Sequence, residues 1–355
     1  MKSNLKFFKK KNLLPIDEFF QNVLYDKKNG YYTNKKPFGK NGDYITAPKI
    51  SYLFSEIIAV WIISSWQTLG KPKNFNIIEL GPGDGSLVNV LLKVFKRFPE
   101  FNVAKKIYLY EISDLLKNLQ KKNIKNVGEV KWVKNFKNIN NGPVIFFGNE
   151  FFDAIPIKQY KNKRGLLFEK YYTIDKNKKI KEIFKRTSRK DTLIIKSYKS
   201  LRNLKFIEFP KYGLIELKKI VKKILKVNGC LLMIDYGYLK PNNQNTLQSV
   251  MKHKKNKLLK NLGKADITSQ VNFKLLSEFF IKNNLKIKRI IPQQQFLKNM
   301  GIIERADIIS QSMKFRDQSN MYLRLKRLLS PSLMGELFKV TLAYKSKSSK
   351  FFGFN

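Results

Sequence analysis

The run Asn76-Ile77-Ile78-Glu79-Leu80-Gly81-Pro82-Gly83-Asp84-Gly85-Ser86-Leu87 constrains this chain more than any other stretch. A short apolar strand, residues 75–80, carries an acid near its end, breaks into glycines at alternate positions, and passes into an amphipathic helix. That order is the strand–turn–helix unit of a parallel α/β sheet, where ligands lie across the carboxyl ends of the strands. A dinucleotide site reads G-x-G-x-x-G and sets a pyrophosphate on the helix N-terminus. Here the spacing is Glu-x-Gly-x-Gly-x-Gly, a tight bend without an obvious phosphate cradle.

A nucleoside ligand without phosphate suits such a bend. S-adenosyl-L-methionine (AdoMet) needs backbone close to its two halves, and carboxylates for its ammonium and ribose hydroxyls. That reading predicts a second acid at the end of the next strand, and Lys106-Ile107-Tyr108-Leu109-Tyr110-Glu111-Ile112 supplies it. A carboxylate there can accept both ribose hydroxyls, as the corresponding acid does in dinucleotide folds. The alternative is a plain glycine turn and an ordinary strand-end glutamate; Glu111 in register favours the ligand site.

With 355 residues, 43% of them apolar, the chain has enough material for one large domain or two smaller ones. Its charge is unusual: 71 Lys+Arg against 26 Asp+Glu, a formal net of +45. Such a balance ordinarily points to nucleic acid or an anionic membrane surface. The basic residues, however, are overwhelmingly lysine, whereas forked phosphate and base contacts favour arginine. They are also spread along the whole chain, as compositional drift in an AT-rich genome would spread them. A dedicated nucleic-acid function is therefore disfavoured. The single cysteine, Cys230, excludes an internal disulfide and fits a reducing compartment. One cysteine and one histidine also make a Cys/His zinc site implausible. No apolar run is long enough for a spanning helix. The basic start, residues 1–14, lacks the apolar stretch of a secretory signal.

Residues 14–24 read as a first helix, and a turn-rich aromatic stretch follows, ending in Gly42-Asp43-Tyr44-Ile45-Thr46-Ala47-Pro48. A long apolar helix over 51–69 stops at Gly70, with Pro72 beyond. Strands at 75–80, 107–112, 130–133 and 143–149 then alternate with helices at 87–97 and 114–121, the rhythm of a parallel sheet covered on both faces. Between 157 and 209 the rhythm breaks. Hairpin strands around Lys163-Arg164-Gly165, followed by a charged stretch over 176–190, read as a β-rich insertion. The core resumes with a helix over 214–225 stopped by Gly229, a buried strand over 230–235, and a closing strand over 338–343.

The strand over 143–149 delivers Asn149-Glu150-Phe151-Phe152-Asp153-Ala154-Ile155-Pro156 to the same edge as the glycine run. Methyl transfer needs an acceptor lone pair in line with the sulfonium carbon. For a guanidinium acceptor, paired carboxylates can hold the fork. Glu150 and Asp153 have suitable spacing if a helix begins here; capping of first-turn amides is the competing role for Asp153 and Asn149. Asp235 ends a further strand at that edge. His253 could serve as a general base, and Asp266 reads as a helix cap.

Several of these stretches jointly resemble the MidA-type methyltransferases, a family that includes a mitochondrial complex I assembly factor. They are Gly30-Tyr31-Tyr32, the Gly42-to-Pro48 loop, Glu79-Leu80-Gly81-Pro82-Gly83, the Asn149-to-Pro156 run, Asp235-Tyr236-Gly237, Thr246-Leu247-Gln248, His253, Ala265-Asp266-Ile267-Thr268 and Gly335-Glu336-Leu337-Phe338-Lys339-Val340. The resemblance implies an α/β, Rossmann-like class I AdoMet-dependent fold with a mostly parallel sheet. An N-terminal helical cap (1–70), a core in two parts (71–156 and 211–345) and the insertion (157–210) complete it. For the family's mitochondrial member it implies symmetric dimethylation of an arginine on a respiratory complex I core subunit, the activity expected by resemblance here. Lys49, Asn272 and Gln294 depart from the family pattern, which puts substrate recognition in question more than cofactor binding.

The expected AdoMet set is thus Asp43, Thr46, Glu79, Gly81, Gly83, Gly85, Glu111, Ile112 and Asn149. The expected catalytic set is Glu150, Asp153, Asp235 and His253, with no metal. The partner expected is a protein substrate, in bacterial cytoplasm or, for a eukaryotic host, the mitochondrial matrix. A non-catalytic assembly factor and an RNA methyltransferase stand as alternatives.

Overall fold

The computed structural model describes residues 2–34 and 46–354. Its central sheet is built from β1 (Phe75–Leu80), β2 (Lys105–Tyr110), β3 (Val130–Val133), β4 (Val144–Asn149), β5 (Gly229–Tyr238), β6 (Lys286–Ile287) and β7 (Phe338–Lys345). They lie side by side in the order β3-β2-β1-β4-β5-β7-β6. The first five pair in parallel, and β7 inserts antiparallel between β5 and β6. Strand order reverses between β1 and β4, so a crevice opens above their carboxyl ends.

The sequence explains why β1 and β4 are central. All six residues of β1 are buried, as are the first five of β4. Both faces must then be covered. On one face lie helices Tyr52–Thr68 and Ser86–Phe95, packed through Trp61, Ile62, Val88, Leu91 and Phe95. Arg305 grips Glu56 with two hydrogen bonds (2.9 and 3.1 Å) and fastens helix Ile302–Ser310 onto the first of these. On the other face lie helices Lys211–Val227 and Phe273–Lys282, through Leu217, Ile224, Phe279 and Phe280. The last strand does close the sheet, though it lies one place in from the edge. The two-residue β6 outside it is too short to leave a periodic signal.

Helix Lys211–Val227 stops at Asn228, which takes the left-handed turn (φ 63°) in place of the expected Gly229. Gly229 instead opens β5, where a Cβ would lie 1.8 Å from the Val144 carbonyl oxygen. Glycine is required there by close packing of two strands.

The insertion is a second, antiparallel sheet. Strand Leu166–Ile174 pairs with Lys158–Lys163, with Ile180–Arg186, and with Leu13–Pro15 from the N-terminus; Phe206–Phe209 flanks Lys158–Lys163. The charged stretch thus contains a strand, and the N-terminal segment shares a sheet with the insertion. Helix Ile16–Tyr25 adds Phe19, Phe20 and Val23 to a cluster with Tyr172, Leu262 and Ile267. Lys158 lies between Asp17 (3.0 Å) and Glu169, all three buried, tying that helix to the sheet. No helix among the described residues is long and apolar enough to cross a membrane.

Candidate active site

The crevice above β1 and β4 is a cavity of about 440 Å³. Its floor is the glycine run. Gly81 and Gly83 both take left-handed backbone (φ 61° and 56°), which glycine adopts without penalty. A Cβ on Gly81 would lie 2.6 Å from the Phe151 ring. Glu79, Asp84, Glu111 and Ile112 line the same space, with Asn149, Glu150 and Phe151 from the end of β4. Tyr25, Tyr32, Thr46 and Pro48 roof it. Ala47 donates its amide to Glu150 (3.2 Å), and Lys49 pairs with Asp84 (2.7 Å), so the segment after Thr46 is pinned to both β4 and the glycine run.

The lining is acidic and short of partners. Glu79 Oε2 and Asn149 Oδ1 are buried and make no hydrogen bond among the described residues. Burial, then the like charge of Asp84, pushes the Glu79 carboxyl up to about 8. Burial, then Asp153, does the same to Glu150, also to about 8. Glu111 is raised by burial too, although the Ser113 amide and the Gln120 side chain hydrogen-bond to it and oppose the rise. Glu150 holds a left-handed backbone (φ 52°), a strained conformation for a non-glycine residue at a strand end. A cavity lined by acids, one of them a buried carboxyl with an unpartnered oxygen, is built for a cation with hydroxyl donors. AdoMet, with an ammonium, a sulfonium and a ribose diol, meets that description, and glycine backbone leaves room for it.

Comparison with known proteins agrees. A family described as "Putative S-adenosyl-L-methionine-dependent methyltransferase" matches residues 57–291. The chain belongs to this family. Curated relatives include the mitochondrial protein arginine methyltransferase NDUFAF7 of Xenopus laevis, 28% identical, covering 95% of this chain and 82% of the relative. The human protein of that name is 26% identical, covering 92% and 78%. A Burkholderia thailandensis protein crystallised with S-adenosyl-homocysteine superposes with a TM-score of 0.81 at 20% identity, covering 100% of this chain and 92% of that one. The protein is an AdoMet-dependent methyltransferase of class I fold.

The methyltransferase cavity gathers most of the expected cofactor set: Thr46, Glu79, Gly81, Gly83, Glu111, Ile112 and Asn149 all line it. Asp43 lies outside the described residues. Gly85 does not line the cavity; it takes the left-handed turn (φ 82°) before helix Ser86–Phe95, packed beside Ile124.

Of the expected catalytic set, only Glu150 lines the cavity. No helix begins at Asn149, so the capping role for Asn149 and Asp153 falls away. Asp235 is wholly buried behind the site, with Oδ2 accepting from the amides of Phe152 (2.8 Å) and Asp153 (3.3 Å). It is a brace for the loop after β4 rather than a group that touches substrate. Asp153 is buried as well, hydrogen-bonded to the Tyr236 side chain. Burial pushes both carboxyls of the Asp153–Asp235 pair upward, and the charge of Asp153 adds to the rise at Asp235. His253 does not reach the cavity: with Lys252 it forms an exposed two-residue hairpin turn, φ positive at both positions, between Gln248–Met251 and Lys254–Asn256. Asp266 opens strand Asp266–Thr268 rather than a helix, and accepts from the Tyr32 hydroxyl (3.0 Å). Asn272, one of the departures, is the cap of helix Phe273–Lys282, its Oδ1 accepting from the Leu275 amide at 3.0 Å.

Sequence reasoning missed Tyr25, Tyr32 and Asp84 in the lining. Asp84 was visible inside the glycine run. The two tyrosines lie far upstream, and only the fold brings them over the cavity.

Proposed function

We propose that this methyltransferase acts on an arginine side chain of a protein, and that its substrate is a core subunit of respiratory complex I whose assembly it supports. The observation that carries the reading is Glu150: a partly exposed carboxyl just after β4, lining the cavity, on strained backbone. A guanidinium is planar, cationic and forked, and a carboxylate is its natural partner. An RNA acceptor would instead bring phosphates toward Glu79, Asp84, Glu111 and Glu150. The relatives named protein arginine methyltransferases support the same substrate class.

In this reading Glu79 neutralises the cofactor's ammonium and Glu111 accepts the ribose hydroxyls. When bound, AdoMet supplies an electrophilic methyl group and departs as the thioether, sulfur keeping the bonding pair. Glu150 orients the guanidino nitrogen so that its lone pair forms the new N–C bond, and takes the proton that nitrogen loses. With its carboxyl raised to about 8, Glu150 is mostly protonated in the empty protein at pH 7; the bound guanidinium's charge favours the ionised form, which then takes the proton that nitrogen loses. Asp235 and Asp153 act at one remove by holding the Phe151–Phe152 loop. For the compartment we propose bacterial cytoplasm, or the mitochondrial matrix in a eukaryotic host; the relatives are named mitochondrial.

The test is methyl transfer from labelled AdoMet to the purified complex I core subunit, followed by mass spectrometry. The expected result is dimethylarginine with the wild type. With Glu150→Gln, turnover should fall at least about a hundredfold, with S-adenosylhomocysteine affinity unchanged. Stable capture of the subunit with no mass gain would refute the catalytic reading.

A further inference from the structure

One fully buried polar side chain ties the two halves of the cavity together without lining it. Gln120 lies on helix Asp114–Asn123 and is 0% exposed. Its Nε2 donates to the Gly83 carbonyl of the glycine run (2.8 Å) and to Glu111 Oε2 (3.2 Å). Its Oε1 accepts from the Trp132 indole (2.7 Å). An amide side chain can sit in two orientations related by a flip, and an indole N–H can only donate. Trp132 therefore fixes the oxygen on its own side and turns both amide protons toward Gly83 and Glu111. Three elements meet in one side chain: the turn after β1, the end of β2, and β3.

We propose that Gln120 is a positioning residue for the cofactor's ribose. It holds the Glu111 carboxylate at a fixed distance from the glycine run. The Ser113 amide, on Glu111 Oε1 at 2.8 Å, secures the other oxygen. Each carboxylate oxygen then has a protein partner and keeps lone-pair capacity for one hydroxyl of a vicinal diol. The inference rests on the reading of Glu111 as the ribose acceptor. Neither Gln120 nor Trp132 lines the cavity, so their contribution is made through Glu111, to the choice between diol and no diol.

The experiment is calorimetric titration of the full chain with S-adenosylhomocysteine and with its 2′,3′-dideoxyribose counterpart. Wild type is expected to prefer the diol by roughly tenfold or more, the ratio for hydrogen bonds to a charged group. Equal binding of both probes by wild type overturns the ribose reading itself, whatever the Gln120 variants do. With that preference in hand, Gln120→Leu should reduce it to less than about threefold. Trp132→Phe, a change at a half-buried position that keeps the ring packing, should give an intermediate ratio. Should Gln120→Leu lower the melting temperature yet keep the full ratio, Gln120 is only core and the proposal fails. If Gln120→Leu does not fold, Trp132→Phe decides: an undiminished ratio refutes the proposal, a reduced one supports it.

Discussion

Glu79 should make cofactor affinity depend on pH, and the structure gives the size of the effect. Its carboxyl stands at about 8 against an ordinary 4.5. That rise of about three and a half units is about 5 kcal/mol at 1.36 kcal/mol per unit, for a side chain with almost no solvent to screen it. In the empty protein a group of this kind is ionised in about one molecule in ten at pH 7 and about one in a hundred at pH 6. A ligand ammonium favours the ionised form, so binding must expel the proton first. Affinity for S-adenosylhomocysteine should then rise about fiftyfold between pH 6 and pH 8, where half the molecules are already ionised. The sign for stability is opposite: the contribution of the neutral buried acid is whole below pH 4.5 and fades as pH rises through 8. Calorimetry in two buffers of different ionisation heat reads both affinity and proton release. Wild type should release close to one proton at pH 7 on account of Glu79, and Glu79→Gln should lose that proton and flatten the profile. A flat wild-type profile, or an unchanged slope in Glu79→Gln, would refute the reasoning.

Two further outcomes follow from packing. Gly81→Ala places a Cβ against the Phe151 ring and forces a left-handed alanine, so S-adenosylhomocysteine affinity should fall about tenfold or more in a protein that still folds; unaltered affinity would show that Phe151 yields freely. Lys158→Met strands Asp17 and Glu169 in the interior and should cost about 3–5 kcal/mol in denaturant unfolding. Adding Asp17→Asn and Glu169→Gln should recover much of that loss, and a loss below about 1 kcal/mol for Lys158→Met alone would place the triad in water.

What could be read in advance was whatever local pattern controls. The apolar run of β1, the glycines behind it and Glu111 in register gave the strand–turn–helix unit and the acid pair, because continuous burial and left-handed turns leave a mark on nearby residues. The roles of Asp235 and His253 were out of reach for the opposite reason. Whether an acid at a strand end faces ligand or braces a backbone loop depends on which amides the next loop presents. Asp235 meets the amides of Phe152 and Asp153, more than eighty residues away in sequence. His253 could be placed only once Lys252 and His253 were seen to form an exposed hairpin turn outside the cavity. Gln120 did carry a faint signal: with Leu116 it forms the buried i,i+4 face of a helix otherwise rich in polar residues. A glutamine on such a stripe asks for buried partners.

The charge of the chain, which first suggested nucleic acid, makes physical sense once burial is considered. Among the described residues Asp17, Glu56, Glu79, Glu111, Asp153, Glu169, Glu208, Asp235 and Asp266 are buried, whereas the buried basic residues are Lys158, Lys170 and Lys223. Acids are scarce in this sequence, yet a third of them lie inside, and five of those nine cluster at or just behind the carboxyl edge of the central sheet. Lysine can replace a solvated residue at little cost, because an exposed charge keeps its water and a surface ion pair contributes little. It cannot replace Glu79 or Glu111 without burying an unpaired cation beside the other acids of the cavity. The basic excess is therefore a property of the surface, and the chemistry sits in an acidic interior. An acidic pocket suits a sulfonium and an ammonium better than a phosphate, so the cavity and the surface of this methyltransferase favour different partners, and the proposed function rests on the cavity.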